Sequence, residues 1–255
     1  VTIADHGPLI LAAGSMLDVP ATVLVDVAAR AGFDGVGLRL SAEHAAGDVT
    51  ELRSRADHEC IVVHDTEVYR IGHDAPDPGD LIDRSAAVGA RALLVVSDLP
   101  DRSATIDALG DLVERSRASG LQVGLEYMAW TTPSTPGDAV AIARQVGCVV
   151  VVDLLHHVRV GGDVADLDAV VDAGVLGWVQ LCDAPAAGPA DLLHEARHDR
   201  LLPGHGALPV RELLASVPAG TPISVEVQSD TLGRTRPQDR AVLLHDAARS
   251  VLTGA

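Results

Sequence analysis

Short apolar runs alternate along this chain with segments in which apolar residues recur at i, i+3, i+4 and i+7. Runs dense in Val, Leu and Ile fit strands buried on both faces, and the segments between them fit helices that pack one face against those strands. The runs are LILAA (9–13), FDGVGLRL (33–40), IVVHDTEVY (61–69), ARALLVVSD (90–98), LQVGLEYM (121–128), CVVVVDLL (148–155), GWVQLCD (177–183) and PISVEVQ (222–228). Helical spacing marks ATVLVDVAARAG (21–32), DLIDRSAAVGA (80–90), SATIDALGDLVERSRASG (103–120) and PQDRAVLLHDAARSVL (237–252). Gly32, Gly89, Gly120, Gly147 and Gly174 stand where helices would end just before the next strand, as C-capping residues do.

Repeated helix, glycine, strand order describes βα units, and eight such strands can close into a barrel or stay an open doubly wound sheet. The glycine fingerprints of doubly wound nucleotide binders, GxGxxG and GxxxxGK[ST], are both absent. The chain has 255 residues and no Pro/Gly/Ser-rich linker, which predicts one domain over 1–255: a single (β/α)8 TIM barrel with its active site at the C-terminal ends of the strands.

Four of the later runs end by presenting an acid or amide: Glu126 in LQVGLE, Asp153 in CVVVVD, Gln180 in GWVQ and Glu226 in PISVE. Desolvating a carboxylate there costs several kcal/mol unless a counter-charge compensates it, and a divalent cation shared among the strand ends would do so. Positions 126, 153 and 180 are evenly spaced by one βα unit, which places them on neighbouring strand ends.

Composition narrows the function classes. A formal charge of −17 without any Lys/Arg run opposes binding that neutralises a phosphate backbone, so nucleic acid is excluded as the expected partner. No apolar stretch is long enough for a bilayer, and VTIADHGPLILAAGS lacks the basic start of a signal peptide; the expectation is a soluble, cytoplasmic protein without a membrane partner. Cys60, Cys148 and Cys182 are an odd set without CxxC spacing and read as reduced thiols. Oligomeric state is not legible, and a homo-oligomer is possible.

From AAGSML (12–17) and AGFDGVGLR (31–39) to PISVEVQSD (222–230), through GLEYM, DLLHHVRVGG, VQLCD, RLLPGHG and SVEV, the chain resembles the xylose-isomerase-like TIM barrels. That superfamily holds sugar isomerases and epimerases as well as the endonuclease IV type of DNA-repair enzyme. The resemblance implies that Glu126, Asp153 and Glu226 bind one divalent metal such as Mn2+, Mg2+ or Co2+, that His156 lies beside it and meets substrate, and that Arg200 contacts substrate oxygens. Gln180 departs from the pattern, in which histidine is commoner. An amide oxygen is a neutral, harder ligand that favours Mg2+ or Mn2+ over Zn2+, and it counts against a three-metal endonuclease.

The residues support a chemistry of their own. A cation on the carbonyl and hydroxyl oxygens of a polyhydroxy substrate stabilises an enolate, and carboxylates on either side move the proton. Glu126 and Glu226 are the expected acid/base pair, with His156 and Arg200 holding hydroxyls. His157 reads as structural. Glu67 and His64 in VVHDTEVY could contact substrate from the opposite wall, although an ion pair of Glu67 with Arg39 or Arg70 competes with that role. His205 in PGHG is a further candidate contact or simply a turn residue. Tyr69, Tyr127 and Trp130 could pack against a sugar face. The expected activity is a metal-dependent isomerase or epimerase of a sugar, keto-sugar or related polyhydroxy compound. A lyase or dehydratase acting on a keto-inositol or keto-glycoside through the same enolate is the alternative, and the lack of an anion-binding glycine loop favours an unphosphorylated substrate.

Overall fold

A computed structural model of the chain describes residues 6–40 and 46–254; residues 1–5, part of the N-terminal segment read for a leader, lie outside the described residues. Eight parallel strands close into a barrel in sequence order: β1 (Leu9–Leu11), β2 (Gly35–Arg39), β3 (Val62–Ile71), β4 (Ala92–Ser97), β5 (Gln122–Glu126), β6 (Val149–Asp153), β7 (Leu176–Leu181) and β8 (Ile223–Val225). The ring shuts where Leu9 pairs with Ile223 and Leu11 with Val225. Around it run α1 (Ala21–Ala31), α2 (Ala46–His58), α3 (Gly79–Val88), α4 (Arg102–Ala118), α5 (Pro136–Val146), α6 (Leu154–Arg159), α7 (Val164–Asp172), α8 (Leu192–His198), α9 (Val210–Ala215) and α10 (Pro237–Thr253). Among the described residues, no helix is long and apolar enough to cross a membrane.

The strand runs were legible because they are buried along most of their length, as the sides of a barrel covered by helices must be. Their ends were overdrawn for local reasons. The run CVVVVDLL stops at Asp153 because that carboxylate caps α6, accepting from the His156 backbone N–H at 3.0 Å. PISVEVQ leaves the sheet after Val225 because Ser15 Oγ takes over its backbone, donating to Val225 O at 2.9 Å and accepting from Val227 N–H at 2.8 Å. In FDGVGLRL, Asp34 precedes the strand and its carboxylate accepts from Leu9 N–H at 2.8 Å.

Below the mouth the barrel is plugged by Trp178, packed with Ala92, Leu94 and Val151. Gly124 makes room for that ring: a Cβ at this position would lie 2.5 Å from Trp178 Cζ3 and 2.7 Å from Val151 Cγ2. Gly124→Ala is therefore expected to lower stability by about 1–3 kcal/mol, the usual cost of overpacking a filled core. A urea-denaturation midpoint unchanged from wild type would contradict this seat for the indole.

Candidate metal centre and active site

Strand register brings the predicted residues to one level of the ring. Glu126 ends β5 opposite Val151, and Asp153 ends β6 directly opposite Gln180 on β7. Gln180 in turn faces Ser224 on β8, and Glu226 follows that strand with its N–H on Leu181 O at 3.0 Å. Because Asp153 caps α6, the first turn of that helix delivers His156 back over the strand ends. His156 Nε2 lies 3.7 Å from Glu126 Oε1. Ligand atoms of Glu126, Asp153 and His156 all lie within 4.8 Å of one another, the one such trio of His, Cys, Asp or Glu donors found among the described residues.

Arg200 supplies the local positive charge. It follows α8, its N–H is on Gln228 O at 3.1 Å, and its Nε donates to Ala196 O at 2.7 Å. From there Nη1 donates to Asp153 Oδ2 at 2.5 Å and to Glu226 O at 3.2 Å, with Glu226 Oε2 3.8 Å away. Nη2 stands 3.4 Å from His156 Nε2. The loop carrying Arg200 is tied down by Asp183, which exchanges backbone bonds with Leu201 and whose carboxylate accepts from the N–H groups of Ala184, Gly204 and Leu208. That is the physical use of the VQLCD and RLLPGHG motifs.

Charge is out of balance here. Asp65, Glu67, Glu126, Asp153 and Glu226 are all buried, and the nearby guanidinium groups are those of Arg200 and Arg39. Burial, then the carboxylates of Glu226 and Asp153, push the Glu126 carboxyl well above its ordinary range. Burial also raises Glu226, against the pull of Arg200. Asp153 alone is lowered: burial opposes its charge, and Arg200 and His156 overcome that opposition. His156 is pushed down to about 4 by burial and is a neutral imidazole at neutral pH. Gln180 Oε1 is buried with no hydrogen-bond partner, an acceptor left unsatisfied between acidic strand ends. An orphan amide oxygen beside carboxyls that resist ionisation is a donor set suited to a hard divalent cation.

The other sequence candidates fall in different places. Glu67 ends up paired with Arg39, Nη2 to Oε1 at 3.0 Å, and its second oxygen is buried without a partner. His64 is buried deeper, its ring edge-on to Trp178 at 5.3 Å between centroids. His205 is exposed and lines another cavity with His198, Leu202 and Leu232 on the far side of Arg200, and it does not line the cavity that holds the carboxylates. Tyr127 is a packing residue, bonded to His157 Nδ1 at 2.6 Å, while His157 Nε2 meets Asp163 O. Tyr69 donates to Pro76 O. Trp130 does reach the site, edge-on to His156 at 5.2 Å and lining a cavity of about 80 Å³ together with Glu126, Arg200 and Glu226.

Asp65 is the member that sequence reasoning missed. It lies opposite Gly37 in the β2–β3 register, and a Cβ on Gly37 would sit 3.1 Å from Asp65 Oδ1. The glycine in GVGLR was the available signal, since a glycine within a strand marks close approach by a neighbour.

These raised carboxyls give the metal-free protein a defined pH response. Burial and the charge of Glu226 lift Glu67 from 4.5 to about 7, against Arg39. The folded chain then binds this proton more tightly than the unfolded chain, so this group's contribution to stability falls as pH rises from 4.5 to about 7. Asp65 and Glu126, raised further, extend the fall upward, and the buried His64 and His156, lowered to about 4, offset part of it at the acid end. Thermal melts in chelator are expected to show a lower Tm at pH 8 than at pH 5.5. A Tm that climbs across this window would contradict the burial of these carboxyls.

Comparison with known proteins places this geometry. The family model for the xylose isomerase-like TIM barrel matches residues 25–249. The chain is 28% identical over 253 residues to a 3-dehydroshikimate dehydratase of Pseudomonas aeruginosa, aligning 89% of this chain but spanning only 39% of that protein's length. Among solved structures, the IolI protein with a bound zinc atom superposes with a TM-score of 0.82 at 13% identity, covering 97% of this chain and 98% of that one. A D-allulose 3-epimerase from Methylomonas sp. superposes with a TM-score of 0.71 at 17% identity, covering 99% of this chain and all of that one (100%). At these identities the two structures establish a shared fold. With nearly the whole described chain matched and the barrel closed in the same order, the protein belongs to the xylose isomerase-like TIM barrel family.

Proposed function

We propose that the barrel mouth is a divalent-metal site that removes a proton next to a carbonyl on a small polyhydroxy substrate and expels a β-hydroxyl as water: a dehydratase, with 3-dehydroshikimate the first compound to try. Glu126, Asp153, Gln180 and Glu226 hold the cation, Mn2+ or Mg2+ before Co2+, with His156 within reach of the same position. When bound, the metal supplies Lewis-acid stabilisation to an enolate. The observation that carries this reading is the Gln180 amide oxygen, buried and unpartnered beside acidic strand ends.

The chain's own residues supply the proton transfers. In the metal-free chain burial raises the proton affinities of Glu126 and Glu226, and of the two the carboxylate that the cation holds less tightly serves as the base that must release its proton again. His156, neutral and beside Arg200, orients a substrate hydroxyl, and Arg200 holds oxygens from the α8 side. Glu67, raised to about 7, is the carboxyl able to give a proton to the departing hydroxyl at neutral pH. His64 is assigned no contact with substrate because it packs against Trp178. Trp130 closes one side of the cavity.

Elimination is placed ahead of isomerisation because the dehydratase relative aligns over 89% of the chain at 28% identity. Epimerisation is the second reading, favoured by the Glu126 and Glu226 pair, whose carboxyls are both available for proton exchange. The test is incubation of Mn2+-loaded protein with 3-dehydroshikimate and, separately, with a panel of ketoses and keto-cyclitols in D2O. Loss of water by mass spectrometry supports the dehydratase, and deuterium incorporated into an intact carbon skeleton supports the epimerase. Neither outcome with any compound would overturn the enolate reading.

A further inference from the structure

A second cavity, of about 400 Å³, opens beside the carboxylate cavity, between the turn after β1 and the segment after β8. The two are continuous in their walls: Arg197 of α8 and Gln228 line both. Gln228 joins them chemically as well, since its Nε2 donates to Glu226 Oε1 at 3.0 Å. The side cavity is bordered by three guanidinium groups, Arg197, Arg234 and Arg240, in a chain that contains no lysine and carries a charge of −17. Arg240 is 2% exposed and forms a fork with Asp18, at 2.8 and 2.9 Å, yet its Nε has no hydrogen-bond partner. Of the acids that border the same space, Asp18 is committed to that fork and Asp230 accepts from His198 Nδ1 at 3.0 Å. The exposed side chains of Arg197 and Arg234 have no ion-pair or hydrogen-bond partner among the described residues. Other exposed arginines also lack a carboxylate partner, but these two border the same cavity as the buried, unsatisfied Arg240 Nε, so their guanidinium forks are placed to meet an anion there.

We propose that this side cavity binds an anionic group, carboxylate or phosphate, at the end of the substrate remote from the reacting carbons, with Arg197 and Arg234 as its ligands. The word substrate rests on the functional reading above; the anion site does not.

The test is calorimetric titration of metal-free protein at constant ionic strength with gluconate, glycerol 3-phosphate and, as neutral control, xylitol. One of the two anions is expected to saturate a single site, and the tighter one identifies the group. Arg234→Gln and Arg197→Gln should each weaken it about tenfold or more, the value of a hydrogen bond to a charged partner. Arg249→Gln, which removes the same charge from the exposed surface of α10, should leave binding unchanged. No saturable anion binding, or equal losses in Arg234→Gln and Arg249→Gln, would overturn the proposal. Failure of the dehydratase reading would appear instead as absent turnover by the metal-loaded protein, which leaves these titrations standing.

Discussion

Glu126→Gln is expected to lower turnover by about 100- to 10,000-fold, the range for losing a positioned acid or base, while raising the Tm of the metal-free protein. The two effects share one cause. Glu126 is buried beside the carboxylates of Asp153 and Glu226, and its nearest cationic partner, His156, is neutral at neutral pH because burial pushes it to about 4. Folding must therefore either keep a proton on Glu126 or hold an unmatched negative charge out of water. Glutamine keeps the shape of the side chain and removes that conflict, at the expense of a charged metal ligand and a proton carrier. Turnover assays and chelator melts on the same preparation read both effects. A variant with full activity, or one less stable without metal, would sink the assignment of Glu126 to a charge-frustrated site.

Arg200→Met should act in the opposite direction, destabilising the fold by about 3–5 kcal/mol, as breaking one half of a buried ion pair does. For a domain of this size that corresponds to a fall in Tm on the order of 10 °C. Arg200 is 2% exposed and meets Asp153, the Glu226 carbonyl and the Ala196 carbonyl at once. Removing it leaves Asp153 buried without its cation and two carbonyls without a donor. The double variant Arg200→Met, Asp153→Asn should recover much of the loss, because the pair is then removed together. Additive losses in the double variant would show that the stabilisation by Arg200 comes from elsewhere.

The difference between these two residues also explains what could be read from sequence. The barrel was legible because its strands are buried on both faces and its helices stop at glycines such as Gly32 and Gly147, which adopt φ of +94° and +78°. Glu126, Asp153, Gln180 and Glu226 were legible because a polar side chain at the end of an apolar run is conspicuous, and the register set them side by side. The roles proposed for His156 and Arg200 came through resemblance. What escaped depends on contacts between distant strands. Asp65 sits in the middle of a run and faces Gly37 across the sheet, so that its own stretch gives no sign of it and only the distant glycine does. His64 looked like a mouth residue because it stands three residues before Glu67, but the β2–β3 register shifts at that point and its ring packs edge-on against Trp178. His205 had only the PGHG turn to recommend it, and that turn is explained by the backbone N–H groups bound to Asp183.

Mn2+ binding followed by the loss of the free-ion EPR signal tests the shared-cation claim most directly. The expected result is one saturable site per chain in the wild type, with binding weakened steeply in both Glu126→Gln and Asp153→Asn and retained in Arg234→Gln. No saturable site, or the same isotherm in Asp153→Asn as in wild type, would mean that the strand-end acids do not meet around a common ion.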